Sequence, residues 1–366
     1  MPRTLKLLLA AALFAPLCAR PAPSQAAPQT PPAQTIADDA VERGKRLYHE
    51  GDAEGAIAVL RPAAGRLKKN ADAWYYLGLS LNRAGRAKDA RKAFDKAVKL
   101  RPDDAGAHTG LAYTLLLLGK PDDAEREAQQ ALKLDPKLPD AHYVVGVLLY
   151  RGDKYEQAIE EAEAALRLNH DFPAAASLVG EALLNVYVDE SNRAAQQYPL
   201  PPAADEAARK PVYAKRDAAL ESVKARMREA AERLEAFAKS KPNAPGAGGW
   251  RELADTLKVY GRARKEGEPT GVYRSSELTT KAIIFSKPEP SYTEQARHHN
   301  TRGVVRLSAV LAADGQVKNI LAIKRLPDGL TENAIAAARQ IKFTPATLDG
   351  QPVSQLVVLE YNFNIY

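Results

Sequence analysis

Cysteine is almost absent from this sequence. The only cysteine among its 366 residues is Cys18, which lies in the N-terminal segment. If that segment is removed on export, the mature chain has no thiol. Disulfide bonds and thiolate metal sites are therefore excluded.

An apolar run long enough to cross a membrane is also missing from the N-terminus. The run from Leu7 to Leu17 is far shorter than the ~20 residues that a membrane-spanning helix needs. Arg3 and Lys6 precede it and small residues follow around Ala26, which is the order of a secretory signal peptide. We predict a cleaved signal peptide at 1–26, a short proline-rich linker at 27–36 and a periplasmic location. An uncleaved segment that anchors the chain in the inner membrane, facing the periplasm, is the alternative.

Clustered positive charge is lacking, although the net charge is +7. Basic pairs such as Arg209-Lys210 and Lys215-Arg216 alternate with acids such as Glu221 and Glu229, as on a solvated helix face. Nucleic acid is therefore not an expected partner.

Catalytic motifs are lacking as well. No serine stands in a nucleophile-elbow sequence, and His298-His299 has no third metal ligand nearby in the sequence. We predict that the protein is not an enzyme and needs no cofactor or metal.

An internal repeat is the clearest feature present. Small residues recur every 34 positions at Gly44, Gly78, Ala112 and Gly146, and leucine does so at Leu47, Leu81, Leu115 and Leu149. A period of 34 is that of the tetratricopeptide repeat, a pair of antiparallel helices. The four copies run over 37–70, 71–104, 105–138 and 139–172.

The second copy resembles the tetratricopeptide family pattern almost completely. The matching residues are Trp74, Leu77, Gly78, Leu81, Ala90, Phe94, Ala97 and Pro102. Turn glycines recur at Gly51, Gly85 and Gly119, and Asp153 takes the fourth place. The resemblance implies an all-α superhelical solenoid whose inner helices line a concave groove for an extended peptide or a partner helix.

Residues 173–262 carry a degenerate fifth repeat. Val179, Gly180 and Leu183 restart the first-helix pattern, but a proline run from Pro199 interrupts it, so we predict a loop insertion at 190–212. A long charged helix then runs from about Tyr213 to Lys239. A last helix that includes Trp250 is predicted to cap the solenoid.

Tyrosine is frequent at the places that face the groove. Its ring offers apolar area at low entropy cost, and its hydroxyl can bond a peptide backbone. The predicted groove residues are Tyr48, Tyr75, Asn82, Arg83, Tyr113, Tyr143 and Tyr150, with inter-helix packing as the alternative role for some of the rings. The lysine and asparagine clamp that some relatives use for a C-terminal carboxylate is not matched, since Tyr75 and Leu79 occupy those places.

The composition changes after a linker at 263–280. Residues 303–312 and 317–325 predict a hairpin around Asp314-Gly315, and Leu330, Ala334, Ala337, Ala338 and Ile341 form one helical stripe. The last run, from Gln355, alternates as a strand with one buried face. A small α+β domain with a free strand edge is predicted at 281–366.

Ordered motifs in this region resemble the C-terminal domain of the TonB family. They are Pro288-Glu289-Pro290-Ser291-Tyr292, Gly303-Val304-Val305, Asp314-Gly315-Gln316-Val317, Phe343-Thr344-Pro345-Ala346, Asp349-Gly350-Gln351-Pro352-Val353 and Tyr361-Asn362-Phe363. The resemblance implies a domain that adds a short extended segment of an outer-membrane transporter as a strand to its sheet. We assign the pairing edge to Val357, Leu359, Tyr361 and Phe363, and expect Leu359→Pro to abolish strand addition.

Two binding modules without catalytic motifs predict a non-enzymatic adaptor for envelope proteins or peptides. Energy transduction to an outer-membrane transporter, with the first segment as a membrane anchor, is the alternative. The proline-rich piece from Pro21 to Pro32 is too short to cross a periplasm at about 3.1 Å per residue. A homodimer through residues 355–365 is a further alternative for the free strand edge.

Overall fold

The computed structural model describes residues 33–201, 206–244, 246–262, 272–273, 275 and 278–364. The predicted signal peptide at 1–26 and most of the linker at 27–36 lie outside the described residues.

Helices occupy the first two thirds of the described chain. Neighbouring helices pack as hairpins, and each hairpin packs on the next. Their bounds are α1 Ala33–His49, α2 Ala53–Arg66, α3 Ala71–Arg83, α4 Ala87–Leu100, α5 Ala105–Leu117, α6 Pro121–Leu134, α7 Pro139–Arg151, α8 Tyr155–Leu168, α9 Pro173–Gln197, α10 Glu206–Ala219, α11 Glu221–Ser240 and α12 Ala247–Gly261. The predicted solenoid is confirmed.

Local sequence explains where these helices begin and turn. The side chains of Asn70 and Asp104 each accept a 3.0 Å hydrogen bond from the backbone N–H three residues on, which caps α3 and α5. The predicted turn positions have positive φ: +73° at Gly85 and +59° at Asp153, which replaces glycine there. Between the helices, a Cβ on Gly78 would lie 2.8 Å from the buried ring of Phe94, so only glycine allows this close crossing.

The region after the fourth repeat differs from the prediction. The loop expected at 190–212 is helical at both ends, because α9 continues to Gln197 and α10 begins at Glu206. Ala194 is buried within α9, and the Arg216 guanidinium donates to the carbonyls of Ala195 and Tyr198 where α9 ends. The single helix expected over 213–239 is divided between α10 and α11 at the buried Leu220.

The C-terminal part is the expected α+β domain. Its elements are β1 Val272–Tyr273, β2 Ile283–Ser286, α13 Glu294–His299, β3 Gly303–Leu311, β4 Val317–Lys324, α14 Leu330–Ala338, β5 Lys342–Thr344, β6 Ala346–Leu348 and β7 Gln351–Phe363. The main sheet has the order β1-β7-β3-β4, with β6 paired to the beginning of β7. Strands β2 and β5 form a separate antiparallel pair.

Both faces of the main sheet are covered. Leu307 and Leu359 belong to the core that contains α14. Leu321, next to Ala322 on β4, points the other way and joins the apolar core of α8, α9, α11 and α12, where Leu356 also packs. The sheet is thus held between α14 and the last helices of the solenoid.

Candidate functional site

The inner helices α1, α3, α5 and α7 enclose a groove of about 500 Å³. Six of the seven predicted groove residues line it, namely Tyr48, Tyr75, Asn82, Arg83, Tyr113 and Tyr143. They come from four successive repeats, because the 34-residue period returns the same helical face to the concave side.

The aromatic rings form a connected wall. Tyr75 and Tyr76 meet edge to face with centroids 5.2 Å apart, and Tyr48 and Tyr76 do so at 6.0 Å. Burial raises the pKa of Tyr75 and raises that of Tyr143 to about 12. These phenols therefore stay protonated at neutral pH and offer hydroxyl donors beside apolar ring faces.

The polar residues of the groove are held by neighbours. The Arg83 Nη1 donates a 2.8 Å hydrogen bond to the Tyr48 carbonyl, and the guanidinium lies 4.5 Å from the centroid of the Tyr48 ring. The Asn82 amide donates to the Thr114 hydroxyl at 2.8 Å. Arg83 is thus bound within the protein, and its charge is partly satisfied before any ligand arrives.

Tyr150, the seventh predicted residue, does not line the groove. Its hydroxyl accepts a 3.2 Å hydrogen bond from the Asn185 amide, and its ring lies edge to face with Tyr155 at 5.6 Å. Its packing is with the core of the C-terminal helices.

Tyr76, Asp140 and Phe172 are among the groove-lining residues that the sequence prediction missed. Repeat arithmetic was the available signal for Asp140, because it stands two periods after Asp72 at a groove-facing position. Tyr76 and Phe172 lie outside the positions counted from the repeat start.

Two histidines join the helices within their repeats. His108 Nδ1 lies 2.6 Å from Oε2 of Glu127, and its Nε2 lies 2.9 Å from the Pro102 carbonyl. His142 repeats both contacts, at 2.7 Å to Glu161 and 3.0 Å to the carbonyl of Pro136. Each histidine thus bridges the two helices of its hairpin.

The side chains assigned to the strand-pairing edge require a correction. Leu359, Tyr361 and Phe363 are buried in the core beneath α14, and Val357 packs against the same core. These four side chains face α14, so the side chains of the residues between them lie on the opposite face of β7.

Among the described strands, none pairs with one edge of β7 beyond Gln355. Strand β3 pairs with the other edge from Gln355 to Phe363, and β1 pairs in parallel only at Ser354 and Gln355. The Glu360 carbonyl accepts from Lys287 Nζ at 2.5 Å and therefore points away from β3. In a regular antiparallel pair alternate residues share this orientation.

The residues with outward backbone groups are therefore Leu356, Val358, Glu360 and Asn362. Apolar side chains are exposed beside them: Val358 is 59% exposed, and Ile283 and Phe285 on β2 are 67% and 69% exposed. An added strand would meet apolar side chains at this edge, and it would have to displace Lys287 from the Glu360 carbonyl.

The described residues contain neither a metal-ligand cluster nor a membrane-spanning helix. No cluster of three or more His, Cys, Asp or Glu side chains there is suited to a metal ion. His299 is paired through Nδ1 with the Asp328 carboxylate at 2.9 Å. None of the helices described here is long and apolar enough to span a bilayer.

The fold and the site define a class of protein: a helical solenoid with a groove, joined to a small domain built on a β-sheet. The family model for the tetratricopeptide repeat matches residues 41–105 and 109–171. The model for the Gram-negative bacterial TonB protein C-terminal matches residues 288–365. The chain is a tetratricopeptide repeat protein with a TonB-family C-terminal domain.

Individual relatives match parts of the chain. Protein TonB of Vibrio cholerae is 29% identical over 110 residues, which are 28% of this chain and 44% of that protein. This chain thus spans less than half the length of that curated relative.

Solved structures match the helical part. A thermophilic tetratricopeptide protein of Thermus thermophilus is 18% identical, with a TM-score of 0.38 over 50% of this chain and 98% of its own. The MamA protein of Desulfovibrio magneticus is 24% identical, with a TM-score of 0.36 over 44% of this chain and 90% of its own.

Proposed function

We propose that this protein is a non-enzymatic adaptor of the Gram-negative cell envelope. Its groove binds an extended segment of one partner, and its C-terminal domain docks to an envelope protein by accepting a strand on β7. The single observation that carries the proposal is the groove, in which aromatic side chains from four repeats surround one cavity of about 500 Å³.

The open edge of β7 supports the second half of the proposal. Each backbone hydrogen bond to an added strand contributes about 0.5–1.5 kcal/mol, so the outward residues between Leu356 and Asn362 supply a few kcal/mol before association entropy is subtracted. Such pairing is weak and reversible. Affinity and selectivity then come from apolar contacts with Val358, Ile283 and Phe285.

The envelope location rests on the C-terminal domain and on the predicted signal peptide. The matching family model is described for a Gram-negative bacterial protein. An outer-membrane transporter is the partner that the TonB relationship suggests for the β7 edge.

Site-specific photocrosslinking tests both halves in the full-length protein. A photoreactive amino acid is placed at Tyr113 in the groove or at Val358 on the β7 edge, and the cells are irradiated. Leu100 is the control for the groove site, because it is 37% exposed, like Tyr113, and does not line the groove. We expect distinct crosslinked proteins at Tyr113 and Val358 and none at Leu100. The same products at all three sites would contradict specific binding.

The second candidate function is energy transduction to an outer-membrane transporter, with an uncleaved N-terminal helix as the anchor. The identity with Protein TonB of Vibrio cholerae favours it. The N-terminal sequence of the protein isolated from cells separates the two candidates. A mature chain that begins near Ala26 has no anchor and excludes the transducer, whereas an intact N-terminus excludes the exported adaptor.

A further inference from the structure

The solenoid contains an internal example of a cation held beside Tyr76, a ring that lines the groove. Asp72, in the first turn of α3, lies 3.4 Å from the Lys45 ammonium and 2.8 Å from the Arg101 guanidinium. The same ammonium lies 5.4 Å from the centroid of the Tyr76 ring. Although burial alone would raise the pKa of Asp72, the hydrogen bonds and charges of Arg101 and Lys45 lower it. The carboxylates of Glu42, at 2.8 Å, and Asp72 accommodate this lysine side chain together with the tyrosine ring.

Two repeats later, an aspartate stands at the position of Asp72, but the two basic residues that pair with Asp72 are replaced by uncharged ones. Asp140 stands 68 residues after Asp72, in the first turn of α7. The residues that correspond to Lys45 and Arg101 are Tyr113 and Asn169, and neither carries a positive charge. Across the described chain, no cationic side chain forms an ion pair with Asp140.

Asp140 also lies in the aromatic part of the groove. Its carboxylate is open to solvent, but the concave wall around it removes much of its hydration, and this burial raises its pKa. Its charge contributes to the raised pKa of Tyr48 and of Tyr75, although burial is the larger cause for both. The unpaired carboxylate is therefore close to rings that belong to earlier repeats.

The basic side chains of the groove do not compensate for it. Arg83 is bound to the carbonyl and ring of Tyr48. Arg151, which does not line the groove, donates a 3.0 Å hydrogen bond to the Leu116 carbonyl. His49 packs edge to face against Tyr48 and Tyr76, at centroid distances of 5.4 and 5.9 Å.

A second carboxylate without an ion pair to a described residue lies further along the solenoid. Glu181 on α9 stands 136 residues after Lys45, at the same repeat position, with the opposite charge. Burial raises the pKa of Glu181, and its charge contributes to the raised pKa of Tyr143 and Tyr150. Its side chain, like that of Asp140, has no ion pair with a described residue.

We propose that the groove selects a basic extended segment, with a lysine or arginine side chain received by Asp140 among the tyrosine rings. The proposal rests on the proposed groove function and adds the chemical class of its ligand. An ion pair partly enclosed by aromatic rings is stronger than one in open water, because less solvent screens it.

Positional-scanning peptide libraries test the proposal with the full-length protein. Each library fixes lysine, arginine, glutamine or glutamate at one position of a short peptide and leaves the others mixed. We expect the lysine and arginine libraries to retain the labelled protein several-fold more than the glutamine libraries, and the glutamate libraries to retain the least. Equal retention by all libraries would overturn the cation assignment and leave groove binding intact. No retention by any library would overturn both.

Asp140→Asn is the matching variant, because it removes the charge and keeps the shape. It should weaken binding of a selected lysine peptide about tenfold, which corresponds to 1.4 kcal/mol, and leave the glutamine analogue of that peptide unaffected. Asp122→Asn is the control, since Asp122 also lies in the first turn of a helix and is exposed outside the groove. Equal losses in the two variants would overturn the role of Asp140.

Discussion

The Tyr260 hydroxyl donates a 2.9 Å hydrogen bond to the main-chain carbonyl of Asn319, which joins the last solenoid helix to β4. The β3–β4 register shifts here, and Asn319 has a φ of +50° that asparagine tolerates better than most residues. Its amide also donates to the Thr256 hydroxyl at 3.2 Å. The irregular strand thus aims both polar groups of Asn319 at α12 and fixes the C-terminal domain against the solenoid.

Replacing Tyr260 with phenylalanine should loosen this junction. The Asn319 carbonyl would lose its donor in a buried place, so we expect a loss of about 1–2 kcal/mol in the free energy of unfolding. Chemical denaturation followed by the fluorescence of Trp250, which lies on α12, measures the loss. Tyr198→Phe is the control, because the Tyr198 hydroxyl has no hydrogen bond to a described residue. A Tyr260→Phe protein as stable as the control would show that the bond contributes nothing.

Two glycine substitutions should change stability in opposite directions. The new methyl group in Gly78→Ala would meet the buried Phe94 ring at 2.8 Å, so we expect a loss of about 1–3 kcal/mol. Gly65 lies in α2 with no atom near the added Cβ, so Gly65→Ala should gain about 0.5–1 kcal/mol from helix propensity. Urea unfolding of both variants checks the signs. A neutral Gly78→Ala would mean that the hairpin adjusts its crossing.

The His108–Glu127 bridge should show an interaction energy. Both ring nitrogens of His108 lie within hydrogen-bond distance of acceptors, the Glu127 carboxylate and the Pro102 carbonyl. A double-mutant cycle with His108→Ala and Glu127→Ala should give a coupling of about 1 kcal/mol or more. The pair His142 and Glu161, with the same geometry, should couple with the same sign. Additive effects at both pairs would argue against a stabilising bridge.

Binding of a lysine peptide should depend on pH. Burial raises the pKa of Asp140, and only its ionised form attracts a cation. Affinity should therefore be full at neutral pH and fall as the pH drops through this raised pKa toward the usual carboxylate range near ~4. Fluorescence anisotropy across this range measures the fall. Asp140→Asn should flatten the profile.

Protonation of His49, which also lines the groove, would repel the same peptide. A profile repeated in His49→Gln separates its effect from that of the Asp140 carboxylate. If the profile of this variant is flat, the histidine and not Asp140 controls binding.

Proline should act differently at neighbouring positions of β7. The Val358 N–H points to the open edge, so Val358→Pro should cost about 1 kcal/mol or less and remove one donor for an added strand. Leu359 is buried and its N–H faces β3, so Leu359→Pro should cost about 3 kcal/mol or more. Hydrogen exchange of β3 amides measures both effects. Equal loss of protection in the two variants would contradict the assigned orientation of β7.

This difference corrects the original choice of Leu359→Pro as a test of strand addition. We expect Leu359→Pro to disrupt the domain, so a loss of binding in this variant would not show which edge a partner uses. Alternation along β7 predicted a strand with one buried face, and that is observed. Which residues turn their backbone groups outward depends on the side to which β3 pairs, and a single strand's sequence does not contain that information.

The groove, too, was predicted from the sequence only in part. Six of the seven predicted residues line one cavity, because the repeat period alone brings them to the concave face. Tyr150 does not line the cavity, and its hydroxyl instead accepts a hydrogen bond from Asn185 of the following repeat. The sequence prediction missed Asp140, because nothing in the sequence shows that this aspartate has no ion pair. The difference is visible only when its surroundings are compared with the contacts that Asp72 makes to Lys45 and Arg101.

The loop predicted at 190–212 was wrong for a related reason. The proline run from Pro199 does end α9, but the buried Ala194 and the Arg216 contacts keep the chain helical up to Gln197. The local sequence predicted that the helix is interrupted here, but contacts from α10 determine how short the interruption is.

The sequence by itself determined the repeat array, the terminal sheet domain and most of the groove, because helical and strand periodicity and close-packed glycines act over short distances. Only the tertiary structure decided which carboxylates stay unpaired, which edge of β7 stays open and how the sheet docks on α12. These features depend on residues far apart in the chain, such as Tyr260 and Asn319, whose meeting follows from the packing of both domains together.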